Sequence, residues 1–163
     1  MVLVAEELAS TADARWCLDQ YAANLERLFP EGFDQSRGNR LEPDDVLPPH
    51  GHFVIARLGG RPVGCGALKV HTDALGEVKR MFTDPAVRGQ RVGTTLLQAI
   101  VALAREKDVS QLMLETGVGP GFEGAHRLYT RYGFTPRGAF LDYPESQWSA
   151  FYEITLVTPV GVA

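Results

Sequence analysis

Cysteine is scarce: Cys17 and Cys65 are the only two, in separate stretches of a 163-residue chain. A chain of this length closes an apolar core without cross-links, so a disulfide framework is excluded and a reducing cytoplasm is the expected setting. Long hydrophobic runs are missing. No stretch nears the roughly 20 apolar residues of a membrane span, and the first residues lack the basic-then-apolar order of a secretory signal, so a soluble, unexported protein is expected. A basic excess is missing too: 16 Lys and Arg face 20 Asp and Glu, a formal charge of −4. That balance argues against a dedicated binder of nucleic acid or anionic membranes, and any anion site must be local. What is present suits a folded domain: 45% apolar and 22% charged residues, near the globular average, on a length that predicts one domain over 1–163. The 17 Gly and 10 Pro follow no three-residue period, which means turns and not a collagen-like fibre.

Apolar periodicity orders the chain. A helix-start pattern at 10–13 precedes Leu18, Tyr21, Ala22, Leu25, Leu28 and Phe29 at three- and four-residue steps, and Pro30 ends them, which predicts an amphipathic helix. Residues 31–51, rich in Pro, Gly, Asp and Asn, predict a loop with at most one helical turn, over that helix or the mouth of a site. Strand-like runs 52–58 and 61–71 flank Gly59-Gly60, a pair that tolerates the positive φ of a two-residue hairpin. A third strand over 77–83 stops at Asp84-Pro85, where proline removes a ladder donor. Then come a buried helical stripe over 92–107, a short strand over 111–116, a helix over 122–132 closed by Gly133, and a late strand over 150–156. In that last strand Tyr152, Ile154 and Leu156 are expected inward, with Phe151, Glu153 and Thr155 outward.

The segment Arg88-Gly89-Gln90-Arg91-Val92-Gly93-Thr94 falls between a strand end and a helix start. The first turn of a helix has amide N–H groups without intrahelical partners and a partial positive charge, which suits a diphosphate. Gly89 and Gly93 allow close backbone approach, Arg88 and Arg91 add charge, and Thr94 adds a hydroxyl. By glycine count alone the loop is as often an ordinary basic turn. The Gly-Lys-[Ser/Thr] ending of a Walker loop is absent, and the motif does not follow the first strand as a dinucleotide fold requires.

The stretch 77–83, this loop, Leu96-Leu97, and Leu128-Tyr129 followed by Tyr132-Gly133-Phe134 together resemble the GNAT superfamily of acetyl-CoA-dependent N-acetyltransferases, in order and spacing, over about 52–156. The short segments 64–69 and 114–117 are similar to bacterial members. Two departures stand out. Arg91 occupies the middle glycine of the usual R-x-x-G-x-G, so its backbone is expected to avoid positive φ, and Phe122 stands where many members have Asn.

The resemblance implies an α/β (α+β) fold: a mixed, mostly antiparallel central sheet with a splayed parallel strand pair and helices on both faces. It implies that acetyl-CoA is the co-substrate, without metal. Main-chain groups of Met81, Phe82 and Thr83 would hold the pantetheine arm like an added strand, and Arg88, Gly89, Gln90, Arg91, Val92, Gly93 and Thr94 would hold the diphosphate. Met81 or Phe82 would steady the thioester oxygen. Tyr129 matches the position that returns a proton to the leaving thiolate, though its apolar neighbours alone make it a core tyrosine.

Glu77 is the expected general base, with a strand carboxylate paired to Lys79 or Arg80 as the plainer reading, and Glu115 is the second candidate. His126 is a helix-surface residue that could meet the acceptor. His50 and His52 lack a third metal ligand at suitable spacing, and Cys65 reads as packed and not as a nucleophile. Phe140, Asp142, Tyr143 and Trp148 sit in a loop that could line an acceptor pocket. The expected activity is acetyl transfer to a primary amine of a small molecule or peptide by direct attack in a ternary complex. The other reading is a non-catalytic acyl-CoA-binding or sensing module on the same fold. A homodimer is a further implication of the resemblance.

Overall fold

A computed structural model describes residues 1–29, 41–72 and 74–156. Seven strands form one sheet in the order β1-β2-β3-β4-β5-β7-β6. They are β1 (Val2–Glu6), β2 (Gly51–Leu58), β3 (Arg61–Val70), β4 (Leu75–Thr83), β5 (Gln111–Gly117), β6 (Thr135–Arg137) and β7 (Ser149–Thr155). Every neighbouring pair is antiparallel except β4 with β5. Helix α1 (Ala12–Leu28) covers one face, while α2 (Val92–Glu106) and α3 (Glu123–Tyr132) cover the other. This is the mixed, mostly antiparallel α/β arrangement expected. Of the 31–51 loop, residues 31–40 lie outside the described residues, and Pro43–Asp45 makes one 3₁₀ turn. Among the described residues no helix is long and apolar enough to cross a membrane.

Gly59 and Gly60 turn the β2–β3 hairpin with φ of 59° and 78°. Thr11, and not Ser10, caps α1: its side chain accepts a hydrogen bond from Ala14 N. Two strands escaped the sequence reading. β1 is an edge strand that packs Val2 and Val4 on the core and leaves Leu3 65% exposed, and β6 is three residues around a proline. In β7 the inward residues are as expected, but the other face is covered too. Tyr152 and Leu156 join the core under α2, whereas Phe151 is buried against Met113, Phe140 and Tyr143.

The sheet is open in the middle. β4 and β5 pair only through Leu75–Gln111, Gly76–Leu112 and Glu77–Met113, and then diverge although both strands continue. Within β4 a bulge opposes Gly66, since Ala67 pairs with Lys79 but Cys65 with Phe82. Arg80 absorbs the extra residue in the left-handed region at φ 58°. A Cβ on Gly66 would stand 2.7 Å from Met81 Sδ and 2.8 Å from Ile100 Cδ1, so a larger residue across from the bulge would displace both side chains. The offset puts both Lys79 and Phe82 on the α1 side and sends Met81 to the α2 side.

On the α1 side, buried charges fix the strand that forms the opening. Asp45, fully buried, lies 3.1 Å from Lys69 Nζ, 3.5 Å from Lys79 Nζ and 3.3 Å from Arg80 Nε. Burial alone would depress the Lys69 ammonium, but hydrogen bonds to Glu42, Asp44 and Asp45 outweigh it and hold the pKa above the ordinary lysine range. The acidic trio Glu42, Asp44 and Asp45 thus surrounds an ammonium. Removing one member of a buried charge set leaves its partners uncompensated. Asp45→Ala is therefore expected to destabilise the protein by about 3 kcal/mol in urea unfolding, and Asp44→Ala, at the exposed rim, by under about 1 kcal/mol. Equal effects would contradict this picture.

Candidate active site

The opening between β4 and β5 belongs to a cavity of about 1080 Å³ that is bordered from both sides of the sheet. Tyr21, Asn24, Leu25 and Leu28 of α1 line one side, and Arg127, Leu128, Tyr129 and Arg131 of α3 the other. Between them run Glu77 through Thr83 of β4 and Glu115 through Gly117 of β5. A ligand held in the gap is therefore reachable from both faces.

Of the loop residues, Arg88, Gly89, Arg91, Val92, Gly93 and Thr94 border this cavity, as do Met81, Phe82 and Thr83, whereas Gln90 is exposed and does not. No side chain caps the start of α2. Its leftover amide N–H groups thus remain available beside the cavity. Gly89 adopts φ 84° with nothing within 4 Å of a would-be Cβ, so conformation and not crowding demands glycine there. At Gly93 the demand is spatial: a Cβ would stand 3.0 Å from Leu128 Cδ2, where α3 abuts α2. Arg91 contradicts expectation. It sits at φ 64° in the left-handed region, and its carbonyl accepts hydrogen bonds from Thr95 N (3.0 Å) and Thr95 Oγ1 (2.7 Å), which anchor the turn.

Glu77 is buried at 2% exposure and is not a solvated strand carboxylate. Its Oε1 lies 2.8 Å from His71 Nε2, its Oε2 accepts from Tyr143 OH at 2.6 Å, and Lys79 Nζ is 3.7 Å away. Lys79 donates in turn to Tyr143 OH at 2.9 Å. Burial first, and then the neighbouring Glu77 charge, push the Tyr143 phenol well above the ordinary tyrosine range. Phe140 and Tyr143, read from the sequence as pocket walls, are buried with Met113 and Phe151, and Tyr143 serves to fix Glu77. His71 was missed because its partner lies six residues away across a strand turn.

Tyr129 borders the cavity at 5% exposure, packed edge-on against Phe134 with Tyr152 beyond. Burial, with smaller contributions from Tyr21 and Glu115, raises its pKa beyond the usual value, so it holds its proton across neutral pH. His126 bridges Tyr152 OH (2.6 Å) and the Gly117 carbonyl (2.8 Å), which makes it a strut between α3 and two strands. Cys65 is fully buried near the Arg80 carbonyl.

The family model for the acetyltransferase (GNAT) family matches residues 18–134. The chain belongs to that family. It is 37% identical over 135 residues to an IAA acetyltransferase of Azospirillum brasilense, covering 82% of this chain and 87% of that protein. A structure of a Klebsiella pneumoniae protein assigned as an acyl-CoA N-acyltransferase superposes with a TM-score of 0.79 at 31% identity, covering 96% of this chain and 99% of that one. A GNAT acetyltransferase from Elizabethkingia anophelis with acetyl-CoA bound shares the fold at a TM-score of 0.62 and 21% identity, over 95% of this chain and 98% of that one.

Within this GNAT fold the two sequence departures have physical explanations. Phe122 fills space: it packs on Phe29 with ring centroids 5.8 Å apart, and a Cβ on Gly117 would overlap its ring. Arg91 carries charge on a backbone that glycine would adopt freely. A left-handed residue with a Cβ costs about 1–2 kcal/mol, and glycine loses about 0.5–1 kcal/mol through the unfolded chain. Arg91→Gly is accordingly expected to melt no lower than the parent and up to about 1 kcal/mol higher in stability. A clear loss of stability would contradict the geometry of this turn.

Proposed function

We propose that this protein transfers an acetyl group from acetyl-CoA to a primary amine of a small molecule or peptide by direct attack, and that the cavity through the split sheet is its active site. The observation that carries this reading is the convergence on one cavity of an uncapped helix start with two arginines, a stretch of β4 that β5 no longer pairs, carboxylates on the α1 side and a protonated tyrosine on the α3 side.

Bound there, acetyl-CoA supplies an acyl carbon activated by a thiol leaving group. The amides around Gly89, Gly93 and Thr94, with Arg88 and Arg91, hold the diphosphate. Backbone groups of Met81, Phe82 and Thr83, which have no β5 partner, take the pantetheine as an added strand. An N–H of Met81 or Phe82 steadies charge growing on the acyl oxygen. The amine enters from the α1 side and loses a proton to Glu77, directly or through water, with Glu115 as the second carboxylate in reach of the cavity. Its nitrogen bonds to the acyl carbon as the carbon–sulfur bond breaks. Tyr129, on the opposite side, gives its phenolic proton to the departing sulfur and recovers one from the amine nitrogen, so one proton passes in balance from amine to thiol. The free thiols Cys17 and Cys65 accord with a cytoplasmic setting.

Release of coenzyme A thiol is expected with one or more members of a panel of primary amines. Tight acetyl-CoA binding without turnover on any amine would favour an acyl-CoA sensor instead. Tyr129→Phe should lower kcat by roughly 100-fold while acetyl-CoA affinity is kept. Because its pKa is raised, loss of the acid form should not depress kcat below about pH 10, where an ordinary tyrosine ionises. Glu77→Gln should lower kcat by roughly 100-fold while acetyl-CoA affinity is kept. Such a loss in Glu115→Gln alone would move the base to Glu115.

A further inference from the structure

The α1 side of the cavity, where the amine is proposed to enter, holds fixed charges of both signs. Glu77, Lys79 and Arg80 of β4 and Glu115 of β5 border the cavity. Lys79 and Arg80 reach Asp45 on the α1 side, and Glu115 shares its face of β5 with Met113, which is buried with Tyr143, the partner of Glu77 and Lys79. The other charged residues around the cavity, Arg88, Arg91, Glu123, Arg127 and Arg131, precede α2 or lie on α3, at the end assigned above to the coenzyme.

Glu77 and Lys79 are engaged with each other's neighbours, through His71 and Tyr143. Arg80 is engaged only in part. Its Nε donates to Asp45 Oδ2 at 3.3 Å and its Nη2 to the Glu42 carbonyl at 3.2 Å, while Nη1 has no partner among the described residues. Asp45 is also shared, since Lys69 lies 3.1 Å and Lys79 3.5 Å from the same carboxylate. The ring of Tyr21, on α1, backs the guanidinium at 5.9 Å. Sterics disfavour the left-handed backbone of Arg80, at φ 58°, for any residue with a Cβ. A long cationic side chain held at a strained bulge on a cavity wall points to a part in binding.

The planar fork of an arginine matches a carboxylate in geometry and charge. An acceptor that is only a cation is drawn by Glu77 and Glu115 but meets Arg80 unfavourably, whereas a molecule with an ammonium and a carboxylate satisfies both signs. Contacts of 3.7, 3.5 and 3.3 Å lead from Glu77 through Lys79 and Asp45 to Arg80. An amino acid bridges such a separation with one hydrogen bond at each end. Leu25, Leu28 and Phe82 border the same cavity and offer apolar surface to its side chain.

We propose that the acceptor is a free amino acid, its carboxylate held by Arg80 and its amine presented to the acyl carbon beside Glu77. The proposal deepens the acetyltransferase reading above and rests on it. The step is the attack already described: the nitrogen gains the acetyl group, the thiol gains one proton, an ammonium releases a second proton to solvent, and the carboxylate stays ionised.

Release of coenzyme A thiol by the parent protein tests it on matched sets, each an amino acid, its carboxamide and its decarboxylated amine. The amine is less basic in the carboxamide and at least as basic in the decarboxylated form, so a preference for the acid over both isolates the carboxylate. At least one amino acid should exceed both of its counterparts by roughly tenfold or more in kcat/KM. Arg80→Gln should erase that preference, mainly through a higher KM for the amino acid, with acetyl-CoA affinity kept. The parent's own preference needs no variant, and it decides the acceptor class even where Arg80→Gln fails to fold. Turnover that is as fast or faster on amines without a carboxylate, or a preference that survives in folded Arg80→Gln, would overturn the proposal and leave acetyl transfer intact. Binding of acetyl-CoA without turnover on these sets or on the amine panel above would overturn the acetyltransferase reading, and this proposal with it.

Discussion

The parting of β4 from β5 after Glu77 and Met113 is the constraint from which the site follows. Two parallel strands that stop pairing midway leave a row of backbone donors and acceptors inside a sheet, where leaving them without partners is costly. Here it borders a cavity that is lined by both α1 and α3, where the proposed function places an added strand. The bulge at Arg80, with its left-handed backbone, belongs to the same arrangement, because it lets β4 leave β5 while it stays paired to β3.

What keeps the gap from closing is packing on one side and charge on the other. Under α2 and α3, Leu96, Ile100, Leu114 and Tyr129 form a continuous apolar core. On the α1 side, Asp45 gathers Lys69, Lys79 and Arg80, while Tyr143 and His71 pin the two oxygens of Glu77. A buried ionic set of this kind adds little net stability over an apolar replacement but strongly penalises any rearrangement that separates its members. The two faces of the sheet accordingly differ in chemistry: buried Glu77 borders the cavity on the α1 side, and Tyr129, which keeps its proton, borders it on the α3 side.

Much of this was legible in the sequence because it rests on local chemistry. The Gly59-Gly60 turn, the apolar stripe of α2 and the glycines of the 88–94 loop each report a backbone requirement within a few residues. The order of motifs then placed the chain among the GNAT acetyltransferases. What stayed hidden depends on distant partners. β1 and β6 are edge strands too short or too exposed to carry a period, and Phe151 is buried by a loop whose packing no alternation reveals. Arg91 misled because sterics disfavour positive φ for a side chain, whereas hydrogen bonds from Thr95 to its carbonyl hold it there.

Amide hydrogen exchange with and without acetyl-CoA tests the central claim most directly. The account predicts slowed exchange at the β4 amides of residues 81–83, beyond the last pairing with β5, and at residues 89–94, around the uncapped start of α2. Unchanged exchange in both segments at saturating ligand, with protection appearing elsewhere, would contradict it.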